Sequence, residues 1–226
     1  MTGVRMRGHF ITFEGGEGSG KSTHAAALAE RLRSAGLSVV LTREPGGSPG
    51  AEIIRHILLS GMAKPLGEET EAILFAAARD DHLRHTIRPA LNAGHWVICD
   101  RFIDSTRVYQ GALGQVDARL IRGLERVTVG DAMPELTFLL DVPATVGLAR
   151  AHHRRGSGKA DRFEAESVAF HEKLRNAYLA LAKSEPNRMI VVDGRAPRNV
   201  VAERIWAVVD ERLRPRLARI AEEAAP

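Results

Sequence analysis

Short apolar runs alternate along this chain with longer amphipathic segments, and the alternation predicts an architecture. "HFITF" (9–13), "LSVVLT" (37–42), "HWVICD" (95–100), "LTFLLD" (136–141) and "RMIVVD" (188–193) read as strands. Helical periodicity covers Lys21–Ala35, the region near 49–60 and a long stretch near 67–92, and two further helices flank the last strand. Strands this rich in Val, Ile, Leu and Phe, with little polar alternation, are those buried on both faces of a parallel sheet. The expected fold is therefore α/β, a doubly wound parallel sheet flanked by helices. "HHRRGSGKADR" (152–162) breaks the pattern with glycines and cations and reads as a mobile loop, and "IAEEAAP" (220–226) is expected to fray.

Size and composition narrow the setting. With 226 residues and 44% hydrophobic content, the chain suits one large domain or two small ones and has ample material for a core. No apolar run approaches the roughly 18–20 residues that span a bilayer. The opening "MTGVRMRGHF" lacks the apolar stretch of a secretory signal, and the single Cys99 can form no internal disulfide. A cytoplasmic protein without a membrane partner is expected. The formal charge of +4 comes from scattered arginines and not from a basic tract, so an anionic small substrate accounts for it as well as a nucleic acid does.

The chemistry starts in "FEGGEGSGKST" (13–23), where Gly15-x-x-x-x-Gly20-Lys21-Ser22 follows a strand and opens a helix. Glycines let successive backbone N–H groups curl around an anion, and the helix N-terminus adds its positive dipole end. Gly15, Gly16, Glu17, Gly18, Ser19, Gly20, Lys21, Ser22 and Thr23 thus form the expected ATP-binding loop, with Lys21 on the outer phosphates and the Ser22 hydroxyl on Mg²⁺. A switch GTPase would carry an "NKxD" tetrad after a later strand, and the sequence has none. Another P-loop kinase and a nucleotide-dependent switch or nucleic-acid ATPase remain as rivals on the loop alone.

Three charged clusters follow downstream, expected at the carboxyl ends of the strands, where open α/β folds place ligands. "TREPGGSPGAEIIR" (42–55) offers Arg43 or Arg55 to an anion. In "ILFAAARDDH" (73–82), Phe75 and Arg79 stand four apart and share one helix face. In "ICDRFIDSTRVYQG" (98–111), Asp100 ends a buried strand and suits a Mg²⁺-holding carboxylate. Beyond it, Arg101, Ser105 and Tyr109 fall at four-residue steps, as do Thr106 and Gln110.

Together these elements resemble thymidylate kinase: the phosphate loop, "REPGG", "ILFAAARDDH", "DRFIDSTRVYQG" with Val108 where the family usually has alanine, and the late "DRFE" (161–164). The resemblance implies a P-loop fold of the nucleoside monophosphate kinase type over 9–213, a lid at about 150–162, and a short extension (1–8) and tail (214–226) outside it. It implies phosphoryl transfer from ATP to dTMP on the way to dTTP, with Mg²⁺, by a homodimer. By the same resemblance Phe75 stacks on thymine and Arg79 donates to the base. Arg55 and Arg101 bind the dTMP phosphate, while Ser105, Thr106 and Gln110 lie near the base, Tyr109 lies against the deoxyribose, and Pro45 lies in the dTMP site. Glu17 lies near the sugar and the phosphates. Because Gly18 follows Glu17 in place of an arginine, the chain is of the lid-arginine type: Arg150 stacks on adenine, Arg154 or Arg155 reaches the transferring phosphoryl, and Arg162 is a further candidate. The adjacent His152 and His153 do not face one site on a helix and are not expected to hold a metal.

Overall fold

The computed structural model describes residues 7–156 and 162–223, with side chains to residue 213. Most of the 1–8 extension, residues 157–161 of the expected lid and residues 224–226 lie outside the described residues. Five strands, β1 (Phe10–Glu14), β2 (Val39–Arg43), β3 (Trp96–Asp100), β4 (Leu136–Asp141) and β5 (Met189–Asp193), pair in parallel in the order β2-β3-β1-β4-β5. Each lies within about two residues of its predicted span. The order reverses around β1, and the register Phe13↔Asp100 sets the ends of β1 and β3 side by side. A ligand crevice belongs at that reversal.

The three central strands, β1, β3 and β4, are buried on both faces, as their composition predicts, whereas the edge strands β2 and β5 are only partly covered, with Leu41 and Val191 exposed. Ile11, Phe13 and Phe138 pack on one face with Leu28 and Leu32 of α1 (Lys21–Ser34) and Ile205 and Val209 of α9 (Arg198–Glu223). Phe10, Val97 and Cys99 pack on the other with Leu83, Ile87 and Phe102. The remaining helices are α2 (Pro49–Leu59), α3 (Glu68–His82), α4 (Arg88–Asn92), α5 (Ile103–Thr106), α6 (Ala118–Thr128), α7 (Ala144–Arg155) and α8 (Val168–Ser184).

The structure revises the expected elements in four places. The long helix near 67–92 is α3 and α4 joined through a wider π-type turn at Leu83–Ile87. Pro89, which cannot donate to the preceding turn, sits just beyond that widening. Two helical stretches escaped the sequence reading: α5 with the wide turn Arg107–Leu113, and α6, whose Asp117 cap accepts from Arg119 N. The segment read as a loop from residue 152 is helical through Arg155 and stops at Gly156, whose φ of 61° suits a residue without Cβ. Finally, α9 runs to Glu223, because Ala and Glu in the stretch expected to fray are good helix formers.

Candidate active site

Beyond the carboxyl ends of β1, β2 and β3 lies a cavity of about 340 Å³. The phosphate loop contributes Glu17, Gly18, Gly20, Lys21, Ser22 and Thr23 to its wall. Pro45 and Arg55 enter after β2, beside Arg43, and Phe75 and Arg79 enter from α3. Asp100, Arg101, Ser105, Thr106, Tyr109 and Gln110 enter from β3 and the helical turns after it, and Arg154 from α7. Gly15, Gly16, Ser19, Arg150 and Arg155 are not in the wall.

The loop's glycines are required at two positions in particular. A Cβ on Gly15 (φ 137°) would stand 2.6 Å from Leu140 O, and one on Gly18 (φ 65°) 1.9 Å from Gly147 O in α7. No side chain, an arginine included, fits at 18 while α7 lies against the loop. Lys21 Nζ donates to Gly15 O (3.1 Å) and Gly16 O (2.8 Å). Burial, with the Arg101 charge, pushes the Lys21 ammonium down to about 8 against the pull of Glu17, Asp100 and Glu14. Ser22 Oγ donates to Asp100 Oδ2 at the cavity wall. A hydroxyl and a carboxylate placed together fit Mg²⁺, which takes one or two protein oxygens and completes its octahedron with water and phosphate.

Arg101 occupies the left-handed region (φ 69°), costly for a residue with a side chain and often found at functional sites. Its amide donates to Phe13 O at 2.9 Å. Its guanidinium gives Nη2 to Glu17 Oε1 (2.6 Å) and Nη1 to Gly15 O (3.2 Å). Burial opposes the ionisation of Glu17, yet Arg101, with Lys21 and His171, holds that carboxyl down at about 2.

Arg79, expected on the helix face beside Phe75, is almost fully buried. Its Nε donates to Glu44 Oε2 (2.8 Å), and its Nη2 to Phe102 O (3.2 Å) and Thr106 Oγ1 (3.1 Å). Nη1 has no partner. The Phe75 ring lies 6.2 Å from Phe163, which stands edge-on to Tyr109 at 5.4 Å, and all three border the cavity.

The structure separates the arginines expected in the lid. Arg154 borders the cavity. Arg155 Nη1 pairs with Glu164, and Arg162 is tied to Glu71 and Glu68 of α3. Arg150 Nη1 donates to Gly194 O (2.9 Å), at the turn after β5. Sequence reasoning passed over Glu14, Glu44, Phe163 and Tyr178. The acids at the ends of the apolar strand "FITFE" and in "REPGG" were visible signals; Tyr178 in α8 carried none.

The thymidylate kinase family model matches residues 13–205. A thymidylate kinase of Nitrobacter winogradskyi is 62% identical over 207 residues, 92% of this chain and 90% of that protein. One from a Bradyrhizobium species is 58% identical over 92% of each chain. The crystal structure of a thymidylate kinase from Ehrlichia chaffeensis superposes with a TM-score of 0.71 at 33% identity, covering 90% of this chain and 99% of that one.

Proposed function

The chain belongs to the thymidylate kinase family, and we propose that the cavity beyond β1–β3 seats dTMP with its phosphate facing the γ-phosphate of ATP. The enzyme phosphorylates dTMP to dTDP with ATP as donor. The unpartnered Nη1 of Arg79, fixed beside Phe75, carries the assignment of the base site. A guanidinium only donates, so it can donate to the O4 of thymine and disfavours the N4 amino group of cytosine, itself a donor. Phe75 covers the ring, Thr106 and Gln110 lie by the base edge, and Tyr109 crowds the position of a ribose 2′-hydroxyl. Arg55 and Arg101 hold the dTMP phosphate.

A phosphate monoester with a second pKa near 6 is mostly dianionic at neutral pH, so its oxygen attacks the γ-phosphorus without a general base. The bond from phosphorus to the β,γ-bridging oxygen breaks in line and ADP leaves. The task left to the protein is charge compensation. Lys21 and the loop amides hold the β- and γ-phosphates, Arg101 holds the acceptor, and Arg154 reaches the transferring group from α7. Mg²⁺, held by Ser22 and Asp100, would neutralise charge on the β- and γ-oxygens. Glu17 keeps Arg101 in place and its charge among the phosphates.

We read 9–213 as the catalytic unit and 150–162 as its lid, with Arg150 against adenine. No helix among the described residues is long and apolar enough to cross a membrane. We place the enzyme in the cytoplasm, with ATP and dTMP as its ligands and neither a nucleic acid nor a membrane as partner. A homodimer is supported by exposed Ile53 (67%), Ile73 (47%) and Val127 (79%) on α2, α3 and α6, with α3 packed on both neighbours. Crystals grown with dTMP and an ATP analogue test the site: thymine on Phe75 with O4 at Arg79 Nη1 supports it, and a base bound elsewhere refutes it.

A further inference from the structure

Glu14 ends β1 with no exposed surface and shares the Ser105 and Tyr178 hydroxyls with Arg101. Its Oε1 accepts from Phe102 N (2.8 Å) and Ser105 N (3.1 Å). Its Oε2 accepts from the Ser105 hydroxyl (2.7 Å) and the Tyr178 hydroxyl (2.8 Å). Those two hydroxyls stand 3.0 Å apart, and Arg101 Nη1 lies 3.3 Å from the first and 3.4 Å from the second. A hydroxyl has one proton and two lone pairs. With each proton given to Glu14, the lone pairs are left to receive Arg101.

We propose that Glu14 is a positioning residue for phosphoryl transfer: its carboxylate fixes the direction of the Ser105 and Tyr178 hydroxyls, and through them holds the Arg101 guanidinium against the acceptor phosphate. The inference rests on the reading of Arg101 as a dTMP-phosphate ligand. Two features of the fold strengthen it. Arg101 sits in a strained backbone conformation that needs support from its surroundings, and Glu14 supplies it by receiving the next amide, Phe102 N. The four donors also come from separate places in the fold, Phe102 just after β3, Ser105 in α5 and Tyr178 in α8, so the carboxylate ties them together beneath the cavity.

Only the carboxylate can do this. A protonated carboxyl or an amide at Glu14 turns a donor toward the hydroxyls, which takes up a lone pair otherwise available to Arg101 and leaves the direction of their protons unfixed. The charged and titratable groups around Glu14 are Arg101, Asp104, Lys21, Cys99, Tyr109 and Tyr178. Burial, then the charge of Asp104, pushes its carboxyl up to about 7 against Arg101 and its hydrogen bonds. The supported state of Arg101 is thus lost as pH falls through that value.

The test compares wild type with Glu14→Gln and Tyr178→Phe in steady-state kinetics from about pH 5.5 to 9. Glu14→Gln is expected to lower kcat/KM for dTMP roughly tenfold to a hundredfold and to leave KM for ATP within about twofold. The wild-type profile of kcat/KM for dTMP falls below about 7, and the variant keeps only the limb of the dTMP phosphate near about 6. Tyr178→Phe gives a smaller loss, and the double variant loses less than the product of the two. A folded Glu14→Gln with wild-type kcat/KM, or with equal losses toward ATP and dTMP, overturns the proposal. If that variant does not fold, a wild-type profile with no limb above that of the phosphate overturns it, and a limb near 7 that Tyr178→Phe weakens supports it. Wild type inert toward dTMP is a different result: it refutes the substrate assignment itself.

Discussion

Arg79 Nε and Glu44 Oε2 stand 2.8 Å apart in an ion pair whose side chains are 2% and 5% exposed. Glu44, Phe102 O and Thr106 Oγ1 hold the guanidinium from three directions, and the buried Nη1 has no partner, which leaves it for the base in the proposed site. A donor this rigid loses little freedom on binding, which favours discrimination by hydrogen-bond sign. Arg79→Ala is expected to raise KM for dTMP at least about tenfold and to change KM for ATP by less than about twofold. An unaltered preference between dTMP and dCMP in this variant counts against base reading.

The same pair has a structural consequence. Removing one member of a buried ion pair strands the other charge. Glu44→Ala strands Arg79 and also takes the acceptor from His82 Nδ1, 3.1 Å from Oε1. Urea denaturation should show a loss of about 3–5 kcal/mol. A loss under about 1 kcal/mol would mean that Arg79 finds water or another acceptor.

Lys21 gives a pH dependence of definite sign. Its folded value, near 8, lies below the ordinary 10.5, so burial favours the neutral amine and the charge is lost as pH rises through 8. Since kcat/KM reports the free enzyme, its value for ATP should fall on the alkaline side of about 8. A flat profile to pH 9.5 would show that Lys21 keeps its ordinary basicity. Lys21→Met should abolish the limb along with most of the activity.

Of the two arginines that end α7, Arg154 borders the cavity while Arg155 is engaged by Glu164. Arg154→Ala is expected to lower kcat by about 10³-fold, with KM for both substrates changed only a few-fold, as for a cation acting in the transition state. Arg155→Ala should lower it by no more than about tenfold. The reverse ranking would place the transition-state cation at 155.

Gly147 sets the approach of α7 to the phosphate loop, since a Cβ there would stand 2.3 Å from Glu17 O. Gly147→Ala should push the helix and Arg154 away from the loop. Overpacking of this kind costs about 1–3 kcal/mol, and kcat should fall more than either KM rises. An alanine variant with wild-type kcat and melting temperature would show that the loop and helix yield.

Much of this was legible because it is local. The glycine spacing, the strand before it and the start of the helix after it lie within a dozen residues, and the central strands declare their burial by their own composition, though the equally apolar edge strands β2 and β5 are partly exposed. Phe75 with Arg79, and Arg101 with Ser105 and Tyr109, could be grouped by helical spacing alone. The acceptors that fix them could not. Glu14 and Tyr178 are 164 positions apart and meet only because α8 packs across the end of β1. Arg154 and Arg155 are adjacent, so they project about 100° apart on a helix. Which one faces the cavity is set by how α7 rests on the loop, a matter of backbone contact at Gly18 and Gly147 that sequence does not display. The helices after β3 were missed because α5 is only four residues long and continues into a wide turn that has no simple period.

The most direct test is turnover of a panel of nucleoside monophosphates with Mg²⁺-ATP, followed by the appearance of ADP and the nucleoside diphosphate. The account predicts dTMP as the best acceptor by a wide margin, with one dTDP formed per ADP and dCMP and AMP nearly inert. Strong turnover of dCMP or AMP without turnover of dTMP would contradict it.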